Sequence, residues 1–133
     1  MIDITDLESR KYDFHKTNIG DLYFFKDFFI AELNEGINIT FENFYEASIL
    51  IKKYYEDRPF GFISNRKNSY SIDVNDANLY QEAFPNLKAY AIVVYSSLSE
   101  RIYEIENHFF KFNRKAFKTL DEAIDWVEGI LSK

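Results

Sequence analysis

Polar and apolar positions alternate along Lys11-Tyr-Asp-Phe-His15 with the two-residue period of a half-buried strand. Asn18-Ile-Gly-Asp21 reads as a turn, with Gly20 free to take positive φ. Leu22-Tyr-Phe-Phe25 predicts a second strand, broken at Lys26-Asp27, and Phe28 to Leu33 predicts a third. Links this short imply antiparallel pairing. Asn34-Glu-Gly36 is the next turn, and residues 1–8 are expected to be a loosely held lead-in.

The period then changes. Phe44, Ala47, Ile51 and Tyr54 recur at spacings of three and four, which predicts an amphipathic helix over 41–56, with Thr40 as its cap and Pro59 barring its continuation. Phe60 to Ser64 is an unbroken apolar run bounded by polar residues, a strand buried on both faces. Strand, helix, strand in this order predicts a crossover and parallel pairing of the third and fourth strands. Asn75 or Asp76 is expected to cap a short helix through Phe84, closed off by Pro85. Lys88 to Tyr95 is β-branched, aromatic and nearly continuous in apolar character, as an interior parallel strand should be.

Ser97-Leu-Ser-Glu100 matches a capping box. Leu98, Ile102, Ile105, Phe109 and Phe112 follow at four, three, four, three, the stripe expected to face the core, with Asn113 as the stop. Ala116-Phe-Lys118 predicts a short strand. Thr119-Leu-Asp-Glu122 is a second capping box, opening a helix with the stripe Leu120, Ala123, Ile124, Val127 and Leu131 and with Trp126 at its edge. The fold class is α/β: one domain over 1–133, with a single mixed sheet, antiparallel N-terminal strands, βα crossover units, and helices packed on the sheet.

Composition narrows the function classes. A chain of 133 residues, 47% hydrophobic and with 14 Phe and 10 Tyr, has the material for a core and is not of disordered type. Without cysteine there is no disulfide framework and no thiol chemistry. No apolar run approaches the roughly 20 residues of a membrane helix, and the acidic start lacks the features of a signal peptide, so a cytoplasmic protein without membrane insertion is expected. A net charge of −6 argues against nucleic acid, which needs a concentrated cationic face.

The strand Phe60 to Ser64 runs straight into a polar loop, and strand ends of open α/β sheets are where ligands bind. Ser64, Asn65, Arg66, Asn68, Ser69 and Tyr70 are the candidate site: Arg66 for an anion, and the amides and hydroxyls for hydrogen bonds. The same groups equally suit a solvated loop bonded to its own backbone. Glu104 and His108 share a helix face, but no further His or Cys stands at ligand spacing, so a surface ion pair is the reading and no metal site is expected. No glycine-rich phosphate loop, G-x-S-x-G or H-E-x-x-H is present, and no cofactor or catalytic residue is assigned. Phe24, Phe25, Phe28, Phe29, Phe109, Phe110 and Phe112 exceed the needs of one face per element; core is the default reading, and the alternative is a leftover apolar face for a subunit contact or an apolar ligand groove.

Residues 29–40 followed by an amphipathic helix, the strands at 60–64 and 89–95, and Phe117-Lys-Thr-Leu-Asp-Glu-Ala-Ile-Asp-Trp-Val127 resemble the small stand-alone bacterial relatives of the STAS domain (sulfate transporter and anti-sigma-factor antagonist). The resemblance covers roughly 10–131 and rests on element order. It implies a module that docks to other proteins. STAS domains that act as phosphoswitches carry a Ser or Thr beside an Asp where the central strand gives way to a helix. Here Ser64-Asn-Arg-Lys-Asn-Ser-Tyr-Ser71 places no acid beside a hydroxyl, so that switch is not carried over. Two expectations follow. One is a non-catalytic regulatory module with a protein partner, self-associating through its surplus aromatics. The other is a carrier or sensor of an anionic or lipid-like molecule near 64–71.

Overall fold

The computed structural model describes residues 10–133, so the expected lead-in at 1–8 lies outside the described residues. The main sheet has six strands: β1 (Asp13–Thr17), β2 (Gly20–Phe24), β3 (Phe28–Leu33), β5 (Phe60–Asn65), β7 (Leu87–Val93) and β8 (Arg114–Phe117), side by side in that order. The first three pair antiparallel; β3, β5, β7 and β8 pair parallel. Helices α1 (Tyr45–Tyr55), α2 (Ala77–Ala83) and α3 (Ser97–Glu106) are the successive crossovers, and α4 (Leu120–Leu131) closes the chain. The short strands β4 (Asn38–Ile39) and β6 (Ser71–Ile72) pair with each other in a separate parallel ribbon. Neither carries enough apolar alternation to stand out in the sequence.

Alternation in the interior strands sorts two cores. Phe29, Ala31, Phe60, Phe62, Tyr90 and Ile92 face α1 and α2. Phe28, Ile30, Ile63, Ala89, Ala91 and Val93 face α4 with Leu120, Ala123, Ile124 and Val127. The first face is aromatic. Phe24, Phe29, Phe62 and Tyr90 form a cross-strand row with centroids 5.4, 4.5 and 4.6 Å apart, and the Arg114 guanidinium caps the row 4.6 Å from Tyr90. Such contacts contribute about 0.5–1.5 kcal/mol each beyond area burial. The second face is aliphatic and close. A Cβ on Gly61 would collide with Val127, so glycine there lets α4 lie against β5. Phe24, Phe25, Phe28 and Phe29 are thus all buried, divided between the two faces.

Several local readings are corrected by chain geometry. The helix expected over 41–56 begins at Tyr45, because Thr40 closes a turn of its own: its hydroxyl accepts from Asn43 N at 3.0 Å and Asn43 Oδ1 accepts from Thr40 N at 2.8 Å. Asp76 stands at the N-cap of α2 as read, but its carboxylate accepts from Phe41 N at 2.8 Å instead of from the helix, and Asp73 caps the preceding 3-10 turn at Val74–Asp76, accepting from Asn75 N at 3.0 Å. Ser96, one residue before the expected cap, accepts from Ser99 N and starts α3. Thr119 caps α4 as read, accepting from Glu122 N at 3.3 Å. His15, a polar position of the Lys11–His15 alternation and so expected on its polar face, does not face solvent. It is half-buried against Phe24 and Tyr54, with Nε2 hydrogen-bonded to the Tyr54 hydroxyl at 2.9 Å.

The largest correction concerns α3. Ile105 is 60% exposed, Leu98 59% and Phe109 46%, so most of the apolar stripe faces outward. Glu106 is the buried residue of α3, Ser99, Ile102 and Tyr103 are half-buried, and Phe110, beyond the end of the helix, is buried as well. The helix ends at Glu106, with Asn107 as its C-cap, seven residues before the first residue of β8. The reason for this orientation lies at Glu106.

Candidate functional site

At the C-terminal end of β5 the side chains part to opposite faces of the sheet. Ser64 and Arg66 go with the α1 and α2 face, and Asn65 goes with the α4 face. All three are buried, as is Tyr70; Lys67, Asn68 and Ser69 are exposed.

On the first face Arg66 and Glu106 form a bidentate pair, with Nη2 and Nη1 donating to the two carboxylate oxygens at 2.7 and 3.2 Å. Arg114 Nη2 donates to Oε1 of the same carboxylate at 2.9 Å. Glu106 is 3% exposed and Arg66 4%. Two guanidinia thus share one carboxylate in the interior, and aromatic faces take up the surplus positive charge. Tyr70 lies under Arg66 at 4.9 Å, while Tyr90, Phe110 and Tyr103 surround Arg114 at 4.6, 5.0 and 5.3 Å. Burial works to lower the Arg66 pKa, but Tyr70 and the Glu106 carboxylate hold the guanidinium above its ordinary value. The Tyr70 phenol is pushed up by burial, against the pull of Arg66. Its hydroxyl is hydrogen-bonded to that of Ser64. A phenol held protonated this way is a poor base or nucleophile. The cluster is suited to fixing α3 to β5 and β8, and it explains why α3 turns a polar residue inward.

On the second face Asn65 links two elements. Its Nδ2 donates to Glu32 Oε2 at 2.7 Å, and its Oδ1 accepts from the Tyr95 hydroxyl at 2.6 Å. Lys67 Nζ lies 3.3 Å from the same Glu32 oxygen. Burial, together with Glu32, pushes the Tyr23 phenol up to about 12. The ends of β2, β3 and β5 and the residue two beyond β7 are tied together here.

Of the six residues singled out from sequence, Ser64, Arg66 and Tyr70 converge in one cluster, and Asn65 lies in the other. Asn68 donates to Leu33 O at 3.0 Å, and Ser69 N donates to Glu35 Oε2 at 2.6 Å. Ser69 O accepts from Gly36 N at 2.7 Å. These bonds pin the loop to the 33–39 segment and lead it into the β4–β6 ribbon. Arg66 is therefore held inside by Glu106 and does not stand open to an anion. The parallel strands also follow chain order without reversal, so the crevice that a reversal opens is not formed at the end of β5.

Sequence reasoning missed Glu106, Arg114, Glu32 and Tyr95. A signal existed for Glu106: it stands three residues after Tyr103 and four before Phe110, inside a helical aromatic pattern. Arg114 alternates with Phe112 and Ala116 at strand spacing. Among the described residues no three His, Cys, Asp or Glu gather as metal ligands, and no helix is long and apolar enough to cross a membrane.

No protein-family model and no curated protein matches the chain. Among solved structures it is similar to an uncharacterised protein of the DUF3478 family with a SpoIIAA-like fold from Shewanella loihica PV-4. The identity is 16%, the match covers 88% of this chain and 92% of that one, and the TM-score is 0.55. At that identity the likeness concerns the fold. With its antiparallel first strands, its parallel crossover strands and its four helices, the chain has the SpoIIAA-like, that is STAS-like, fold.

Proposed function

We propose that the protein is a non-catalytic cytosolic binding module that docks a protein partner along the outward edge of α3. The observation that carries this reading is the orientation of that helix. Leu98, Ile105 and Phe109 are the exposed members of an apolar stripe whose spacing suits a partner surface, while an ion-paired glutamate occupies the inward face. Exposed apolar rows on a fixed helix mark interaction sites. Arg101 and His108 border the stripe at helical spacing, yet the chain as a whole carries −6. That charge opposes phosphate-rich surfaces and leaves a protein as the favoured occupant.

The test is substitution at the centre of the stripe. Ile105→Glu is expected to change unfolding free energy by no more than about 0.5 kcal/mol, because the residue is exposed. It is also expected to reduce recovery of a specific partner at least tenfold in quantitative pull-downs, the scale of a contact hot spot. If wild type and variant recover the same proteins in the same amounts, α3 is not the docking edge. Sedimentation of both proteins shows whether the occupant is a second copy.

A further inference from the structure

Where β1 begins and β2 and α1 end lies an open concavity of about 700 Å³. It shares no lining residue with either polar cluster or with α3. Its volume is within the roughly 300–1,000 Å³ of small-molecule sites. Among the described residues its wall carries four cations, Arg10, Lys11, Lys26 and Arg58, against one acid, Asp13. A chain with a net charge of −6 thus reverses its sign at this wall. One sign of charge gathered in a concavity raises the local concentration of the opposite sign.

The four cations are held differently. Arg10 donates to Glu128 at 2.8 and 3.2 Å, and Arg58 donates to Asp27 at 3.3 Å. Glu128, Asp27 and Asp125, which also acts on Arg10, stand outside the wall, so an entering molecule meets the cations. Both pairs are open to water, with side-chain exposures of 41% and 44% in one and 50% and 50% in the other. Exposed pairs contribute little, and an anion shares their guanidinia at small cost. Lys11 and Lys26 are exposed, and their ammonium groups meet no acceptor among the described residues.

The rest of the wall is aromatic, with rings from Tyr12, Phe25 and Tyr54. The Tyr54 hydroxyl is already spent: it donates to Asp13 Oδ2 at 2.7 Å and is bonded to His15 Nε2 at 2.9 Å. Tyr54 therefore offers ring surface, which suits a flat apolar group, while the two unpaired ammonium groups suit a compact double negative charge.

We infer that this concavity binds a small phosphate monoester with a flat apolar group, Lys11 and Lys26 engaging the phosphate and the rings covering the apolar part. The site lies apart from the α3 edge, and the inference does not rest on the docking proposal.

The test titrates phenyl phosphate, inorganic phosphate and phenol into the full chain at low ionic strength, with binding followed by calorimetry. Phenyl phosphate is expected to saturate, and inorganic phosphate to bind about tenfold more weakly for want of the ring. Phenol is expected to show no saturable binding over the same range. Lys26→Glu is expected to weaken phenyl phosphate binding by about tenfold or more, the loss of a charge-assisted contact. Lys111→Glu makes the same change of net charge in the link to β8, the strand at the opposite edge of the sheet. It is expected to change the binding by less than about twofold. Both lysines are exposed, so both variants are expected to fold. Absence of saturation, saturable binding of phenol, equal binding of phosphate and its phenyl ester, or equal losses in the two variants overturns the inference.

Discussion

Glu106→Ala is expected to lose about 3–5 kcal/mol of unfolding free energy, the cost of leaving buried charge without its partner. The carboxylate accepts from two guanidinia at 2.7, 3.2 and 2.9 Å, and all three side chains are almost fully shielded from water. Removing it leaves two positive charges facing each other across a vacated space, with only aromatic faces to oppose them. The triad is not in itself a large source of stability, because desolvating three ions offsets much of their attraction. Replacing all three with apolar residues of similar volume should therefore recover most of the loss. Urea denaturation of the single and triple variants measures both effects. A single variant that loses less than about 1 kcal/mol would mean that the charges find water and that Glu106 is not what orients α3.

Gly20→Ala is the second large effect. Gly20 has φ of +144°, a region that L side chains rarely adopt. Its missing side chain also matters for packing: a Cβ would stand 2.6 Å from Glu32 O and 2.7 Å from the Leu33 Cα. Both are backbone atoms of β3, the strand to which β2 pairs, with Gly20 opposite Leu33. Neither can swing aside as a side-chain end would. Strain and overpacking together are expected to cost about 2–4 kcal/mol. The loss should appear as a lower urea midpoint and as faster amide exchange in β1 and β2. A variant as stable as the wild type would show that the β2–β3 pair yields more readily than its register suggests.

The mixed sheet type, with antiparallel first strands and parallel crossovers, was legible because β5 and β7 are long, apolar and flanked by helical periodicity, which leaves few topologies open. The α4 stripe was legible for the same reason: its apolar period and its packing face coincide. In α3 they do not. Periodicity reports where apolar residues lie on a helix, but a buried Glu106 between Arg66 and Arg114 outweighs Leu98 and Ile105 in deciding which side turns inward. Those partners lie 40 and 8 residues away in the chain, so no local window contains the information. The same holds for Arg66. Its place in the polar loop suggested an open cation, and only the fold supplies the acid that encloses it. Asn68 and Ser69 spend these hydrogen bonds on the 33–36 stretch and the Glu35 carboxylate, a segment more than thirty residues away that no reading of the loop alone contains.

The division of the interior into an aromatic and an aliphatic half has an optical consequence. The chain's single tryptophan, Trp126, packs beside Phe117 on the α4 side, whereas Tyr55, Tyr70, Tyr80 and Tyr90 belong to the opposite half. Indole emission excited beyond the phenol band therefore reads the α4 wall alone, and an event confined to that wall can be followed without attaching a dye or introducing a label.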